Sequence, residues 1–152
     1  MRPGYRVRVA VNLLNGSTFF GFVVAAIGRA RLSRGPDGLL VAQGYRLPVP
    51  PALAFCVGNV ILTRLDGNGL GSGGRLLVHE ARHATQYAWC AGLVMLPLYF
   101  IAAGVSWALT GDFNSHNMFE RLAGLADGGY EDRPLRPAFA RWLARTGMPR
   151  TP

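Results

Sequence analysis

Two of the three histidines in this 152-residue chain stand four apart, in the string His79-Glu80-Ala81-Arg82-His83. Nothing else in the sequence constrains the fold as tightly. On a helix, positions i and i+4 share a face one turn apart, so both imidazoles can reach a single zinc ion. Glu80 then stands beside the open coordination position, where a carboxylate can take a proton from a zinc-activated water. A zinc site that does chemistry needs a third protein ligand and leaves a fourth position to water. The spacing therefore predicts a helix starting near Arg75, and a second element that brings another donor to its histidine face.

The candidate donors lie downstream, in Asn114-Ser115-His116-Asn117-Met118-Phe119-Glu120-Arg121-Leu122-Ala123, a stretch of helical pattern. Glu120 would supply a carboxylate from a second helix and complete a His-His-Glu set. His116 is its rival, four residues earlier and expected on the same face. A glutamate here also has a plainer reading, as a first-turn acid favoured by the helix dipole. Metal-bound histidines usually donate their other N–H to an oxygen, which makes Asp127 a candidate partner, and Gln86, one turn after His83, a polar neighbour. Arg82 is expected to face solvent or pair with an acid. Tyr87 and Tyr130 are the candidates for stabilising an oxyanion.

Charge narrows the function classes. All 16 basic residues are arginine, against 8 acidic residues, for a net charge of +8. A Walker-type phosphate loop and Schiff-base chemistry both need a lysine, and this chain has none. The arginines are scattered, with Arg29, Arg31 and Arg34 the one local cluster, and no recognition-helix or RNP-like pattern accompanies them, so no nucleic-acid partner is expected. Anionic lipid headgroups are another use for such charge, at about 1 kcal/mol per surface arginine. Gly69, Gly71 and Gly74 form a GxGxxG, but the acidic residue expected after a second strand is missing. Cys56 and Cys90 lack CxxC spacing and are too few for a disulfide scaffold, which favours a reduced, cytoplasmic setting.

The remaining segments suit one α+β domain, with parts at 1–51, 52–132 and 133–152. Alternation of Tyr5, Val7, Val9 and Val11 with Arg6 and Arg8 predicts a strand over 5–14. Asn15-Gly16-Ser17-Thr18 predicts a turn with Ser17 or Thr18 capping an apolar helix that ends near Gly28. Gly35-Pro36-Asp37-Gly38 predicts a hairpin between strands near 29–34 and 39–44. Pro48, Pro50 and Pro51 mark an extended linker; 52–65 reads as one strand bent at Gly58, then a glycine-rich loop over 66–74. A short helix is expected around 137–146, and no secretory signal at the start. Between Arg82 and Asp112 no side chain is charged, a length that can cross a bilayer. Pro97, Gly92 and Gly104 favour instead a buried or peripheral helix broken at Leu96-Pro97.

Three strings together resemble a family. AFCVGNVILT (54–63), LLVHEARHATQY (76–87) and NMFERLAGLAD (117–127) are similar to the DUF4157-type zinc metallopeptidases, whose core reads as an AFT-x-G strand, then HE-x-x-H-x-x-Q, then N-x-FE-x-x-A. The resemblance spans roughly residues 46–130, and its specific part is HExxHxxQ paired with FExxA. It implies a zincin-like fold in which the strand at 54–63 runs beside the metal helix; the expected architecture is α+β, a small antiparallel N-terminal sheet packed on the metal helix and followed by further helices. The resemblance implies His79, His83 and Glu120 as zinc ligands, Glu80 as base, and a peptide or protein as substrate. Cys56 stands where the family has threonine, and the apolar stretch separates the two metal motifs. The expected activity is peptide hydrolysis; the competing expectation is a catalytically silent, zinc-stabilised interaction module or membrane-associated module.

Overall fold

The computed structural model describes residues 3–65 and 74–146. Its first element, α1 (Pro3–Leu14), is a helix where alternation predicted a strand. The buried positions explain the error. Arg8 and Asn12, one helical turn apart, face inward, while Val7 points to solvent. The stripe that packs is polar, so apolar periodicity could not locate it. Asn12 Nδ2 donates to the Ala84 carbonyl at 2.8 Å and to Asn59 Oδ1 at 3.2 Å, and Arg8 donates to the Asp37 carbonyl at 2.6 Å.

The expected apolar helix is α2 (Ser17–Ile27), turned 72° from α1. Its N-cap is Gly16 at φ +78°, and neither Ser17 nor Thr18 caps it. Asn15 Oδ1 instead accepts from Ser17 N at 3.0 Å, and Thr18 Oγ1 accepts from Asn59 Nδ2 at 2.8 Å. The predicted hairpin forms as β1 (Arg31–Arg34) and β2 (Leu40–Gln43), paired antiparallel.

The run at 54–63 is two strands, β3 (Ala54–Val57) and β4 (Val60–Thr63), joined through Gly58 at φ +62°. An unbroken apolar run is what two strands buried on both faces produce. Cys56 and Ile61 share a core with Leu77 and Ala84, while Val57, Val60 and Leu62 belong with Ala25 to a second core that reaches Met95 and Phe119. The sheet order is β1-β2-β4-β3, and β2 runs parallel to β4. The sheet is therefore mixed, where an antiparallel one was expected.

Helix α3 (Arg75–Trp89) carries the histidine pair and packs on β3. It ends where Ala91 (φ +55°) and Gly92 (φ +80°) turn left-handed, so the break falls ahead of Leu96-Pro97. Pro97 sits in the first turn of α4 (Met95–Thr110), where a missing N–H costs no helical bond. Then follow α5 (Met118–Ala123), capped by Asn117 Oδ1 accepting from Phe119 N at 3.0 Å, and α6 (Pro137–Thr146), as expected. Gly69 and Gly71, with most of the glycine-rich loop, lie outside the described residues. The mixed α+β architecture leaves α5 against α3, and that contact builds the site.

Candidate metal centre

His79 and His83 project one turn apart from α3, and Glu120 meets them from α5; all three are buried. His79 Nε2 lies 3.1 Å from His83 Nε2 and 3.1 Å from Glu120 Oε2, and His83 Nε2 lies 3.6 Å from the same oxygen. The neighbours of each ring decide what those atoms carry. His79 Nδ1 lies 3.0 Å from the Gly124 carbonyl, which can only accept, so Nδ1 holds the proton. His83 Nδ1 lies 2.7 Å from Gln86 Oε1, and Gln86 Nε2 donates to the Phe119 carbonyl at 2.9 Å, which fixes the amide's orientation. Both Nε2 atoms of the neutral rings therefore present bare lone pairs towards a carboxylate oxygen.

Three acceptors facing one point repel unless something positive stands between them. Glu120 Oε2 is buried and accepts no well-formed hydrogen bond. A proton or a cation must fill the gap. Burial alone would raise the Glu120 carboxyl, but its contacts with His79 and His83 outweigh that and hold it at about 2. Burial likewise opposes charge on His79, yet Glu120 and Glu80 together raise its pKa. Those shifts describe the metal-free chain, in which a proton takes the place that a metal contests. The donor set fits a metal: tetrahedral ligands about 2.0–2.2 Å from an ion stand about 3.3–3.5 Å apart, close to the observed spacings.

Glu80 is buried beside this group, and its Oε2 has no hydrogen-bond partner. Burial pushes its carboxyl up to about 7, against the pull of His83 and His79. Tyr130 sets its ring edge-on to His79, with centroids 5.9 Å apart. Between them passes Gly128, where a Cβ would lie 2.6 Å from His79 Cε1. Only glycine lets that loop cross the His79 ring.

Several sequence candidates fall elsewhere. His116 precedes α5, sharing no face with Glu120, and approaches Asp132 at 4.0 Å. Asp127 touches neither histidine; it pairs with Arg82 at 2.8 Å and Arg75 at 3.0 Å. The oxygen that Asp127 was expected to offer comes from Gly124, because Arg82 also donates to the Ala123 carbonyl at 2.8 Å and so clamps that loop on α3. Tyr87, two turns after His79 on α3, is 2% exposed and packs in the hydrophobic core.

One participant escaped the sequence reading. Tyr99, on α4, donates to Glu120 Oε1 at 2.5 Å and so turns Oε2 towards the histidines. Its signal was present: it is the one tyrosine within the uncharged stretch from Ala84 to Gly111 apart from Tyr87. Compared with known proteins, the chain matches no protein-family model, no curated protein and no solved structure.

Proposed function

We propose that the chain is a zinc-dependent hydrolase of peptide bonds, zincin-like and akin to the DUF4157-type peptidases. The carrying observation is the set of three buried donor atoms from His79, His83 and Glu120, 3.1–3.6 Å apart and facing one point. Two imidazoles and one carboxylate suit zinc, and leave a fourth position to substrate or water. Bound zinc supplies an acidified water and polarises the scissile carbonyl.

The chain's own residues support that chemistry. Gly124 and Gln86 hold the two imidazoles in the tautomer that binds metal through Nε2. Tyr99 holds Glu120 by its other oxygen. Glu80, with a carboxyl raised to about 7, can accept a proton and return it near neutral pH. Arg82 and Asp127 position the loop that carries Gly124. No catalytic role falls to His116.

Elemental analysis of purified protein against His83→Ala and Glu120→Ala tests the site. One zinc per chain in the wild type and none in either variant is expected; no zinc in the wild type, or full retention in Glu120→Ala, overturns the ligand set. A second reading rests on burial, since His79, Glu80, His83 and Glu120 are each at most 7% exposed. In that reading zinc only stabilises an interaction module. Glu80→Gln separates the two on a fluorescent casein substrate. Loss of hydrolysis with zinc retained supports the enzyme; a wild type and variant that are equally inert support the module.

A further inference from the structure

Helix α4 is apolar around its whole circumference, and the fold covers one stripe of it. Met95, Ala103 and Ser106 are buried, while Phe100 is 68% and Ile101 64% exposed. A helix apolar on every side is stable where every side meets an apolar medium, in a core or in lipid. Helix α2 repeats the pattern, with Phe19, Val23 and Ile27 exposed along one face at i, i+4 and i+8. No side chain is charged between Arg8 and Arg29, or between Arg82 and Asp112. The two helices begin side by side, since a Cβ on Gly92 would lie 2.7 Å from the Asn15 side chain at the α1–α2 corner.

Three observations favour lipid as the cover of this face. Gly92–Thr110 runs 19 residues at a mean hydropathy of 1.8, with 22% of its most apolar window buried. At 1.5 Å per residue that is about 28 Å, close to the roughly 30 Å of bilayer hydrocarbon. Its ends are aromatic and cationic. Trp89, 85% exposed, stands before it; Trp107, near its end, stacks on Phe113 and lies under the Arg136 guanidinium, 5.0 Å from its ring centroid. Tryptophan and arginine concentrate where acyl chains give way to headgroups. Finally, the chain carries +8, and Arg29, Arg31 and Arg34 follow α2 directly. A second, equally cationic copy would be repelled by that charge, whereas an anionic membrane is drawn to it. An apolar groove of about 910 Å³ between α3, α4 and α5, lined in part by Leu98, Ile101 and Val105, runs along α4 and gives acyl chains room.

We propose that the α2–α4 face seats the protein in a lipid membrane, with acyl chains against Phe100, Ile101 and Val105 and headgroups against Trp89, Trp107 and Arg136. The helix is tied to the domain in its second turn, through Tyr99 on Glu120, and near its end, through the Arg136 N–H on the Leu109 carbonyl at 2.8 Å. The seating therefore needs no rearrangement of the metal centre, and the inference stands apart from the hydrolase reading.

Flotation of the full chain with phosphatidylcholine vesicles, and with mixed phosphatidylcholine–phosphatidylglycerol vesicles, tests it. The wild type should float with both, and several-fold more of it with the anionic mixture. Phe100→Glu with Ile101→Glu should cut the bound fraction at least about tenfold, because each loses the burial of a large apolar side chain. Zinc content and melting temperature should not change. A wild type that stays at the bottom of the gradient with both vesicles overturns the proposal. So does a double variant that floats like the wild type, since arginines alone would then hold the protein. A wild-type dimer in light scattering that does not float, and that the double substitution dissociates, overturns it in favour of a second copy. Should the double variant melt early, Val105→Ser is read by the same outcomes.

Discussion

Helices α3 and α4, of 15 and 16 residues, follow one another with only five residues between them, yet they solve burial in opposite ways. α3 turns His79, Glu80 and His83 inward; α4 leaves Phe100, Ile101 and Trp107 outward. Polarity alone does not decide which side of a helix is covered. The supply of partners does. In α3 most buried polar atoms have a fixed neighbour, and the remainder gather at one point between three acceptors. In α4 the remainder is apolar area facing away from the domain. Each helix leaves something uncovered, a cluster of acceptors on one and an apolar surface on the other, and the two proposals complete them with a cation and with an apolar medium.

The largest effect should come from completing α3. Zinc at about 100-fold above its dissociation constant should stabilise the fold by about 2.7 kcal/mol, or roughly 5–10 °C in melting temperature. In Glu120→Ala the shift should vanish, since one of the three acceptors is gone. A zinc shift that survives Glu120→Ala would break the contrast, because the gap between the acceptors would then not be what the cation fills.

The next effect sharpens which atoms define the gap. Gln86→Leu removes the oxygen that holds the proton on His83 Nδ1. Zinc affinity should fall by about 10–100-fold, the usual cost of losing such a partner. Gly128→Ala should act comparably through shape, since its Cβ would stand 2.6 Å from His79 Cε1. Competition titration against a chromogenic chelator measures both. Unchanged affinity in either variant would mean that the ring is held by the helix alone.

A smaller effect belongs to pH and to the metal-free protein. Burial raises the Glu80 carboxyl from 4.5 to about 7, so the folded state holds a proton that the unfolded chain releases. The stability this proton contributes is present below 4.5 and is lost as pH rises through about 7. In chelator, the melting temperature should therefore drop across that window, and Glu80→Gln should flatten the drop. A Glu80→Gln profile as steep as the wild type would locate the titration elsewhere.

What the sequence let one read follows the same division. Helix α2, the β1–β2 hairpin, the start of α3 and the fragment around α6 were legible because each is announced locally, by glycine, proline or a run of apolar residues. That His79, His83 and Glu120 would meet was legible because a metal-site pattern restricts residue type and spacing. Helix α1 was not, because its packing stripe is Arg8 and Asn12. The turn between β3 and β4 was hidden in an apolar run whose only mark is Gly58-Asn59. The end of α3 depends on Ala91 in a left-handed conformation, which alanine does not advertise. Asp127 was assigned to a histidine because an oxygen was needed there; a backbone carbonyl, which has no residue code, supplies it.

The smallest expected effect is the sharpest test of the contrast itself. Phe100→Glu places a charge on α4 at a position 68% exposed. Were that position part of a core, a buried unpaired carboxylate would cost several kcal/mol and the domain would unfold. On an uncovered face in water the change should stay within about ±0.5 kcal/mol, below 2 °C in melting temperature. The same single charge should be felt only when lipid is present, as weaker flotation. A large loss of stability without lipid would show that the chain folds something against this face in water. α4 would then be an ordinary core helix, and its difference from α3 one of composition alone.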